Sequence, residues 1–291
     1  MASNGQTVLR ARETEVVIGA GRPFVVIGER INPTNRVKLS ETIEAHDMSM
    51  VQKEAKTQVA AGAQVLDINV GTVFGVEAEI MPLAVRAVLE VVDVPLSIDS
   101  PDPAALEAGA KAYRDVCGPN SKPLLNSVNA EAERIEKVIP IAAEYGTALV
   151  GLVNGDGGIP ETPEQRFELA GTIKAAANTA GIADNDLIID ALTLTVGADH
   201  SAAWCTMTVT KWITEKLGLN TTSGASNVSF GLPGRRELNT TFLAMMIASG
   251  LTSAITNPLH PEVITTIHGA DLLLSHDPHS LGWLEHFRQS Q

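Results

Sequence analysis

Eight short apolar runs, rich in β-branched residues, recur along the chain and constrain its fold more than any other feature. Their centres lie roughly 26 to 40 residues apart, which is the room that a strand, a crossover helix and two loops require. The runs are apolar almost throughout rather than alternating, which is typical of parallel strands covered on both faces. The predicted strands are Phe24–Ile31, Gln64–Gly71, Val94–Ser100, Lys122–Val128, Ala148–Asn154, Leu187–Leu194, Thr221–Gly231 and Ser253–Leu259.

The segments between these runs carry helix signals. In Thr162–Gln165, a threonine at the N-cap, a proline at the first helical position and a glutamine at the third form a capping box. Asp102, followed by a proline, begins an alanine-rich segment in the same way, and Gly146 is placed to end a helix in the left-handed conformation. Pro82 and Pro140 lie inside helical patterns, so we expect each to kink or restart its helix.

This pattern predicts a single (β/α)8 barrel, the TIM barrel of the α/β class. Such a barrel typically takes about 250 residues, which fits a chain of 291 residues that no linker rich in Gly, Pro or Ser divides. A doubly wound open sheet is the competing arrangement. We assign the barrel to residues 23–291 and a short N-terminal extension to residues 1–22. Within the extension, the alternating stretch Thr14–Ile18 forms either a hairpin that closes the bottom of the barrel or an arm on a neighbouring subunit.

Composition narrows the classes of function. The net charge is −13 and no run of Lys and Arg occurs, which argues against nucleic acid as a partner because such binding depends on clustered cations. Cys117 and Cys205 lie far apart in the chain, so we expect them to fill small apolar gaps rather than to bind metal or react. The sequence has no apolar run of about 18 residues and no leader-like apolar core near its start. We therefore expect a cytoplasmic protein that does not interact with membranes.

Polar residues are concentrated at the carboxyl-terminal ends of the predicted strands. In TIM barrels the active site is built at this face, because the loops that follow the strands converge there. Buried carboxylates are costly unless they are hydrogen-bonded or paired, so such residues must find partners in the barrel mouth. In the alternative interpretation, several of them cap the following helices. The strand-end residues are Glu29, Arg30, Asn32, Asp67, Asn69, Asp99, Asn126, Asn129, Asn154, Asp156, Asp190, Asn227, Ser229 and Asn257.

The strand-end residues form a ring around the predicted barrel mouth. This ring holds carboxylates and amides but no His, Lys or Cys. It therefore predicts neither a metal triad nor a Schiff-base lysine. Carboxylates and amides are well suited to hydrogen-bond a flat heterocycle. A pterin presents an N3–H and a 2-amino group as adjacent donors beside the O4 acceptor, which a carboxylate and an amide can match. The ring thus favours a guanine-like or pterin-like ligand.

Six segments of the chain, in this order, resemble the methyltetrahydrofolate:corrinoid methyltransferases, which are related to dihydropteroate synthase. The same pattern belongs to the folate domain of cobalamin-dependent methionine synthase. Each segment alone is weakly specific, but six in register are highly specific, and the resemblance extends from about residue 25 to about residue 275. One departure is Ala191, where several relatives have proline after the strand-six aspartate. The segments are Ile27–Asn32, Val65–Gly71, Ile98–Ser100, Leu125–Ser127, Ile188–Asp190 and Gly224–Gly231.

The resemblance implies a role for each matching side chain. It implies that Asn227 contacts N5 of the pterin, strengthens its hydrogen bond in the transition state, and acts in catalysis together with Asp67. It also implies that Arg235 can meet the carboxylate tail of the substrate. The residues that would bind the pterin are Asp99, Asn126, Asp190, Asn69, Asn227, Ser229, Arg235 and Glu29.

The implied reaction moves the N5-methyl group of 5-methyltetrahydrofolate to the Co(I) of a corrinoid, or the reverse. The chain lacks the D-x-H-x-x-G corrinoid signature, since Asp199-His200 has the wrong spacing. We therefore expect the corrinoid to arrive on a separate protein, with no metal bound by this chain. Relatives imply a homodimer. Acetogenic carbon fixation, O-demethylation, betaine demethylation and methionine biosynthesis all stay open as pathways.

Three other interpretations compete with this one. Dihydropteroate synthases have a Ser-Arg-Lys-like run after strand seven and an Arg-x-His near strand eight, where this chain has Ser226–Val228 and Thr256–Pro258. A non-catalytic folate-binding subunit of a methyltransferase complex would share the pocket without the chemistry. A metal enzyme would have to use histidines near the carboxyl end, which we expect to be solvated instead. These are His268, His276, His279 and His286.

Overall fold

The computed structural model of the chain describes residues 5–71 and 76–289. In these residues, short strands alternate with helices from residue 25 onwards, and an antiparallel pair of strands precedes them. The strands are β1 (Thr7–Arg10), β2 (Glu15–Ile18), β3 (Val25–Ile31), β4 (Val65–Asn69), β5 (Leu96–Asp99), β6 (Leu124–Asn129), β7 (Ala148–Leu152), β8 (Leu187–Asp190), β9 (Asn220–Thr222) and β10 (Ser253–Thr256).

The helices surround the strands. Within the described residues they are α1 (Val37–Glu44), α2 (Ser49–Ala60), α3 (Glu77–Val91), α4 (Pro103–Cys117), α5 (Ala132–Tyr145), α6 (Pro163–Thr179), α7 (Ala202–Trp212), α8 (Arg235–Ala248), α9 (Pro261–Leu273) and α10 (Leu281–Gln289). Helices α1 to α9 each carry buried residues, whereas α10 packs against α9.

Strands β3 to β10 form one parallel sheet in the order β10-β3-β4-β5-β6-β7-β8-β9. A parallel bridge between Gly224 and Ile255 joins the two end strands, and the backbone N–H of Ile255 donates to Ser223 O at 3.0 Å. The sheet therefore closes on itself. The predicted (β/α)8 barrel is confirmed, and the open doubly wound sheet is wrong for this chain.

The seventh predicted strand, Thr221–Gly231, is largely wrong. The strand comprises only Asn220–Thr222, and Ala225–Ser229 forms a 3₁₀ helix in which the N–H of Asn227 donates to Gly224 O at 3.2 Å. Serine and asparagine favour such turns because their short side chains compete with sheet hydrogen bonds. Asn227 and Ser229 consequently lie beyond the end of β9 rather than on it.

The helix boundaries follow their capping residues. Thr162 Oγ1 accepts from the N–H of Gln165 at 3.3 Å, Asp102 caps α4, and Gly146 ends α5 with φ of 63°. Of the two predicted outcomes, a kink or a restart, the restart is wrong, because α3 and α5 continue through Pro82 and Pro140. Each proline removes one backbone hydrogen bond, and the buried faces of these helices compensate for that loss.

Inside the barrel, an apolar floor lies beneath a polar mouth. Along a strand, every second side chain points to the same face. On β3, β4, β6 and β8, one polar residue each lies two positions after an interior apolar residue and therefore faces the interior too. These residues are Glu29, Asp67, Asn126 and Asp190. The apolar cluster consists of Leu9, Val16, Ile18, Val25, Ile27, Val65, Leu124, Ala148, Val150 and Ile188.

The N-terminal extension forms the hairpin rather than the arm. Strands β1 and β2 pair antiparallel, with Thr7 opposite Ile18, and Leu9 and Ile18 are fully buried in the barrel's apolar floor. The side-chain amide of Asn220 donates to Thr7 Oγ1 at 2.9 Å and to Ile18 O at 3.2 Å. The hairpin thus closes the amino-terminal end of the barrel. The domain boundary at residue 22 stays a prediction.

Truncating the hairpin's buried side chain should destabilise the whole barrel. For Leu9→Ala we expect the free energy of unfolding to fall by about 2–5 kcal/mol, because Leu9 is 0% exposed and the substitution leaves a cavity in the floor. Urea denaturation followed by circular dichroism measures this. Val37→Ala, at a side chain that is 71% exposed, is the control. Equal losses in the two variants would show that the hairpin is not part of the core.

None of the helices in the described ranges, 5–71 and 76–289, has the length and apolar character needed to cross a membrane.

Candidate active site

Asp67 on β4 lies at the centre of a buried hydrogen-bond network. Its Oδ1 accepts from Ser97 Oγ at 2.6 Å and from Asn126 Nδ2 at 3.2 Å, and all three side chains are buried. Because the amide of Asn126 directs its NH2 group at Asp67, its carbonyl oxygen is left to accept from a ligand.

A second pair lies beside this network, on the neighbouring strands. Asn69 Nδ2 donates to Asp99 Oδ2 at 2.9 Å, and the N–H of Gly71 donates to Asn69 Oδ1 at 2.9 Å. The Cα atoms of Asn69, Asp99 and Asn126 are register partners on β4, β5 and β6. The other oxygen of Asp99 and the carbonyl of Asn126 therefore lie at one level of the mouth, side by side.

Asp190 is held at the end of β8 by backbone donors. Its Oδ1 accepts from the N–H of Leu192 at 2.8 Å, and the N–H of Gly224 is a second donor to the carboxylate. Leu192 has φ of +58°, an uncommon value for a non-glycine residue that turns the chain back over Asp190. The register partner of Asp190 on β9 is Thr222, whose buried Oγ1 has no hydrogen-bond partner among the described residues.

The 3₁₀ helix after β9 closes the other side of the mouth. Arg235 Nε donates to Ser229 Oγ and Arg235 Nη2 to Ser226 O, both at 3.0 Å, while Ser226 Oγ donates to Glu29 Oε2 at 3.3 Å. Asn227 is exposed on this helix, and its amide lies so close to Gly224 that a Cβ there would be 3.1 Å from Asn227 Nδ2. The predicted Glu29, Ser229, Arg235 and Asn227 are thus connected through one short element.

Burial controls the protonation of these carboxyl groups. It raises the pKa of Asp99 to about 6, opposed by the Asn69 hydrogen bond and reinforced by the nearby Glu77 carboxylate. It likewise raises the pKa of Asp190 to about 6, opposed by the Leu192 and Gly224 N–H groups and by Arg166. The pKa of Asp67 is raised well above its usual range by burial and by the Asp99 carboxylate. Burial therefore favours the protonated form of Asp67.

The pKa of Glu29, at the opposite edge of the mouth, is also controlled by burial and by neighbouring groups. Burial raises its pKa, while the Ser226 hydrogen bond and the Arg30 and Arg235 charges lower it. Arg30 itself forms an ion pair with Glu54 of α2 at 3.4 Å.

Arg166 on α6 is a residue that strand-end analysis missed. Its side chain is 1% exposed, and its guanidinium donates to Pro160 O at 2.8 Å, Ala191 O at 3.0 Å and Leu192 O at 2.8 Å. It therefore holds the backbone that follows Asp190. Its position one turn before Ala170, on the buried face of α6, was the available signal, since an arginine in a core-facing stripe needs buried partners.

Glu77 and Arg134 were also missed, because they lie on helices. Ser100 Oγ donates to the buried Glu77 carboxylate at the start of α3. Arg134 on α5 donates to Ser127 O at 2.7 Å and to Ser100 O at 3.0 Å. The two opposite charges act on Asp99, where Glu77 raises the pKa and Arg134 lowers it.

The helix-capping interpretation is wrong for the outer strand-end residues as well, because the N-caps of α5 and α9 are Glu131 and His260. Asn129 Oδ1 accepts from the N–H of Glu131 at 3.2 Å, and Asn257 Oδ1 accepts from the N–H of Leu259 at 3.0 Å, so both stabilise local turns. The α4 helix after Asp99 begins at its own N-cap, Asp102, and α5 begins after Glu131. Capping therefore does not explain Asp99 or Asn126.

The C-terminal histidines are more buried than expected. The rings of His268 and His286 stack with centroids 4.8 Å apart, and His276 Nδ1 lies 3.5 Å from Asp271 Oδ1. These three side chains are half-buried because the chain after α9 folds back on that helix, whereas His279 is exposed as predicted. Across the described ranges, no group of three or more His, Cys, Asp or Glu side chains is placed to hold a metal ion.

Two of the cavities that border the barrel bear on where the site lies. One, of about 590 Å³, lies at the amino-terminal end against Gly19–Arg22 and Gly250–Thr252. The other, of about 310 Å³, extends from Glu29 and Ser226 between α8 and α9. The buried carboxylates lie at the carboxyl-terminal face, so we place the site there despite the larger volume at the opposite end.

The fold and the site together define the class of protein, an α/β barrel whose mouth holds buried carboxylates and amides. Residues 28–257 match the family model described as "Pterin binding enzyme". The chain therefore belongs to the family of pterin-binding enzymes, and its similarity to a methyltransferase that it covers over 97% of that relative's length identifies it as a methyltransferase.

The relatives are as follows. The chain is 30% identical over 272 residues to the methylcorrinoid:tetrahydrofolate methyltransferase of Eubacterium limosum, covering 92% of this chain and 97% of the relative. It is 31% identical over 257 residues to the methionine synthase of Mycobacterium tuberculosis, covering 83% of this chain and 21% of that longer protein. The 7,8-dihydropteroate synthase of Vibrio fischeri has the same fold, with a TM-score of 0.69, 16% identity, and coverage of 94% of this chain and all of the other (100%).

Proposed function

We propose that this protein transfers the N5-methyl group of 5-methyltetrahydrofolate to the Co(I) corrinoid of a separate protein, or catalyses the reverse reaction. The observation that carries the proposal is the arrangement of Asp99, Asn126 and Asp190, which are fixed by partners within the protein on one side. Each keeps lone pairs for a ligand. The E. limosum relative, matched over nearly its whole length, is a methylcorrinoid:tetrahydrofolate methyltransferase.

The geometry supports a bound pterin. The Asp99 oxygen that Asn69 leaves free and the carbonyl of Asn126 are acceptors at one level, suited to the adjacent N3–H and 2-amino donors of a pterin. Asp190 and Thr222 lie across the mouth as further partners for the ring. Asn69 positions Asp99, and Glu29 and Ser229 complete the far edge through Ser226 and Arg235.

Methyl transfer requires that the tetrahydrofolate leave with its N5 stabilised as an amine. As the N5–CH3 bond breaks, its electron pair returns to N5, and the methyl group bonds to the acceptor. Asn227 donates a hydrogen bond to N5 that strengthens as charge develops. Asn227 has no acidic proton to supply, so Asp67, whose pKa is raised, takes part in delivering the proton through the buried network. The acceptor's Co(I) supplies the nucleophilic electron pair.

The partner approaches over the mouth. Two large aromatic side chains, Trp204 on α7 and Phe230 after the 3₁₀ helix, are 60% and 66% exposed on the loops and helix starts that form this rim. They offer the corrinoid protein a surface close to Asn227. We further propose that the enzyme works in the cytoplasm as a homodimer, for which exposed Leu273 and Leu281 near α9 and α10 supply an apolar face.

A spectroscopic assay tests the proposal. The purified protein, 5-methyltetrahydrofolate and free cob(I)alamin are mixed anaerobically, and the visible spectrum is followed. We expect cob(I)alamin to be consumed and methylcobalamin to form. If tetrahydrofolates bind but neither cob(I)alamin nor any corrinoid protein is methylated, the protein is a non-catalytic folate-binding subunit. Condensation of a dihydropterin pyrophosphate with p-aminobenzoate would instead favour a dihydropteroate synthase.

Replacing Asp190 with asparagine should stabilise the fold and weaken the binding of folate. Burial raises the folded-state pKa of Asp190 from 3.8 to about 6. The protonated carboxyl therefore contributes fully to the stability of the fold below a pH of about 4, and this contribution is lost as the pH rises through 6. At pH 8, Asp190→Asn should therefore raise the free energy of unfolding by about 2 kcal/mol, while leaving it unchanged at pH 4. Folate affinity should fall at least tenfold, because the amide presents a donor to the pterin's donors.

Urea unfolding at both pH values and equilibrium titration with 5-methyltetrahydrofolate measure these effects. Asp186→Asn is a matched control, because Asp186 is paired with Lys122 at 2.7 Å outside the mouth. A gain in stability that was the same at pH 4 and pH 8 would contradict the electrostatic explanation.

A further inference from the structure

Arg134 joins the backbone that follows β5 to the backbone that follows Asn126 on β6. It lies in the first turn of α5, and its Nη2 donates to Ser127 O at 2.7 Å and to Ser100 O at 3.0 Å. Ser127 is the residue after Asn126, and Ser100 is the residue after Asp99. One side chain therefore connects the two segments that carry neighbouring acceptors of the proposed pterin site.

The place of Arg134 in its own helix is electrostatically unfavourable. It is the third residue of α5, where the helix macrodipole disfavours a cation, and burial lowers its pKa. The carbonyl groups of the two loops offset both effects. Nε and Nη2 donate to Ser127 O at 3.1 and 2.7 Å, and Nη1 donates to Pro101 O. Arg134 is therefore held by the loops at the mouth rather than by its helix.

Ser100 transmits this connection to the residue before it, Asp99. Ser100 is buried, and its N–H donates to Asn126 O at 3.0 Å while its carbonyl accepts from Arg134. Its hydroxyl donates to the Glu77 carboxylate of α3. Each polar group of Ser100 thus has a partner on a different element. The backbone next to Asp99 is fixed between α3, β6 and α5, so the Asp99 carboxylate starts from a defined position.

Charges of both signs lie around Asp99 and Arg134. Burial raises the pKa of Asp99 to about 6, Glu77 raises it as well, and Arg134 lowers it. Asp67, whose pKa is raised by burial and by the Asp99 carboxylate, adjoins it on β4. At pH 8 Asp99 is ionised, so binding measured at this pH reports its position rather than its protonation. The carboxylates that oppose the effect of burial on Arg134 are those of Glu131, Asp102 and Asp99.

We propose that Arg134 is a positioning residue, which fixes the spacing of the Asp99 and Asn126 acceptors by joining the backbones that follow them. The proposal rests on the proposed function, in which these acceptors bind the adjacent N3–H and 2-amino donors of the pterin. Two hydrogen bonds to adjacent donors form together only if both acceptors lie at hydrogen-bonding distance. A change in their spacing therefore weakens one bond of the pair. Arg134 acts through these two residues and not on the methyl group.

A double-mutant cycle tests the proposal by equilibrium titration with 5-methyltetrahydrofolate at pH 8. In the wild-type background, Arg134→Met and Arg134→Lys should each weaken binding about tenfold, because neither side chain reproduces the planar fork of donors. In the Asn126→Ala background, one acceptor is missing and the spacing no longer matters. The same substitutions should there weaken binding less than about threefold. Arg134→Lys retains the cation, so its loss of affinity reports geometry rather than charge.

Turnover and a matched arginine distinguish positioning from general damage to the fold. At saturating folate, kcat with cob(I)alamin should stay within about threefold of wild type, because the proposed contact to N5 belongs to another element. Arg114→Met is the control, since Arg114 also donates to a backbone carbonyl, Glu144 O at 2.9 Å, but near the carboxyl-terminal ends of α4 and α5. We expect that variant to bind folate as wild type does. If circular dichroism shows that Arg134→Met does not fold, Arg134→Lys carries the test.

Equal weakening in the two backgrounds would overturn the proposal, because Arg134 would then act independently of Asn126. So would unchanged affinity in Arg134→Met, wild-type affinity in Arg134→Lys, or a loss of kcat larger than the loss of affinity. These results leave methyl transfer by the wild-type enzyme untouched. Failure of the proposed function is recognised separately, as absence of methylcobalamin in the cob(I)alamin assay with wild-type protein that binds folate.

Discussion

Asn227→Ala should retain 5-methyltetrahydrofolate within about tenfold of wild-type affinity and lose about 100-fold or more in turnover. The asymmetry follows from the structure. In the proposed complex the pterin is bound by Asp99, Asn126 and Asp190, which are fixed by other partners, whereas Asn227 is exposed on the 3₁₀ helix. Its hydrogen bond to N5 matters most when charge develops there, so its removal should reduce kcat rather than binding.

Turnover is measured with cob(I)alamin under saturating folate, and affinity by equilibrium titration. Asn129→Ala is the matched control, because Asn129 is also a strand-end asparagine but its Oδ1 accepts from the N–H of Glu131 in a local turn. We expect that variant to keep both parameters. Unchanged kcat in Asn227→Ala would remove Asn227 from the mechanism, and a loss confined to affinity would make it a binding residue only.

Arg166→Met should lower the free energy of unfolding by about 3 kcal/mol or more. The guanidinium is 1% exposed and donates to the carbonyls of Pro160, Ala191 and Leu192, which would lose their donor in a buried loop. It should also change binding. Arg166 opposes the effect of burial on Asp190, so its loss should raise the pKa of Asp190 further above about 6.

The binding effect has a definite sign. In the proposed site folate binding requires ionised Asp190, so the pH at which affinity falls on acidification should move upwards in Arg166→Met. Arg166→Lys should keep that midpoint near the wild-type value, because it retains the charge, and still lose stability, because an ammonium cannot reproduce the planar fork. Titrations between pH 5 and 9 and urea unfolding separate the two. A midpoint that is identical in wild type and Arg166→Met would reduce Arg166 to a structural residue.

Several elements were predictable because their signals are local. The barrel strands appear as apolar β-branched runs, and Thr162, Asp102 and Gly146 mark helix ends through hydrogen bonds to residues a few positions away. The mouth residues Glu29, Asp67, Asn126 and Asp190 were predictable for a related reason. Side chains alternate along a strand, so a polar residue two positions beyond an interior apolar residue must face the same interior.

The errors occurred where local patterns compete. The segment after Thr222 contains apolar residues at strand-like spacing, yet Gly224 and the short polar side chains of Ser226 and Asn227 favour a 3₁₀ turn. Arg166 and Glu77 were missed because they lie on helices. On a helix, a charged residue is predicted to face solvent unless the position of that helix against the barrel is known.

The sequence by itself determined the barrel, the face that carries the candidate site, and the acids and amides that lie there, because periodicity and chemical type are properties of neighbouring residues. Only the tertiary structure decided that Asp67 is bound by Ser97 and Asn126, that Arg166 holds the turn after Asp190, and that a cleft between α8 and α9 opens beside Ser226. Those relations join residues that are tens of positions apart. They depend on how the strands register and how the helices pack, which no local pattern specifies.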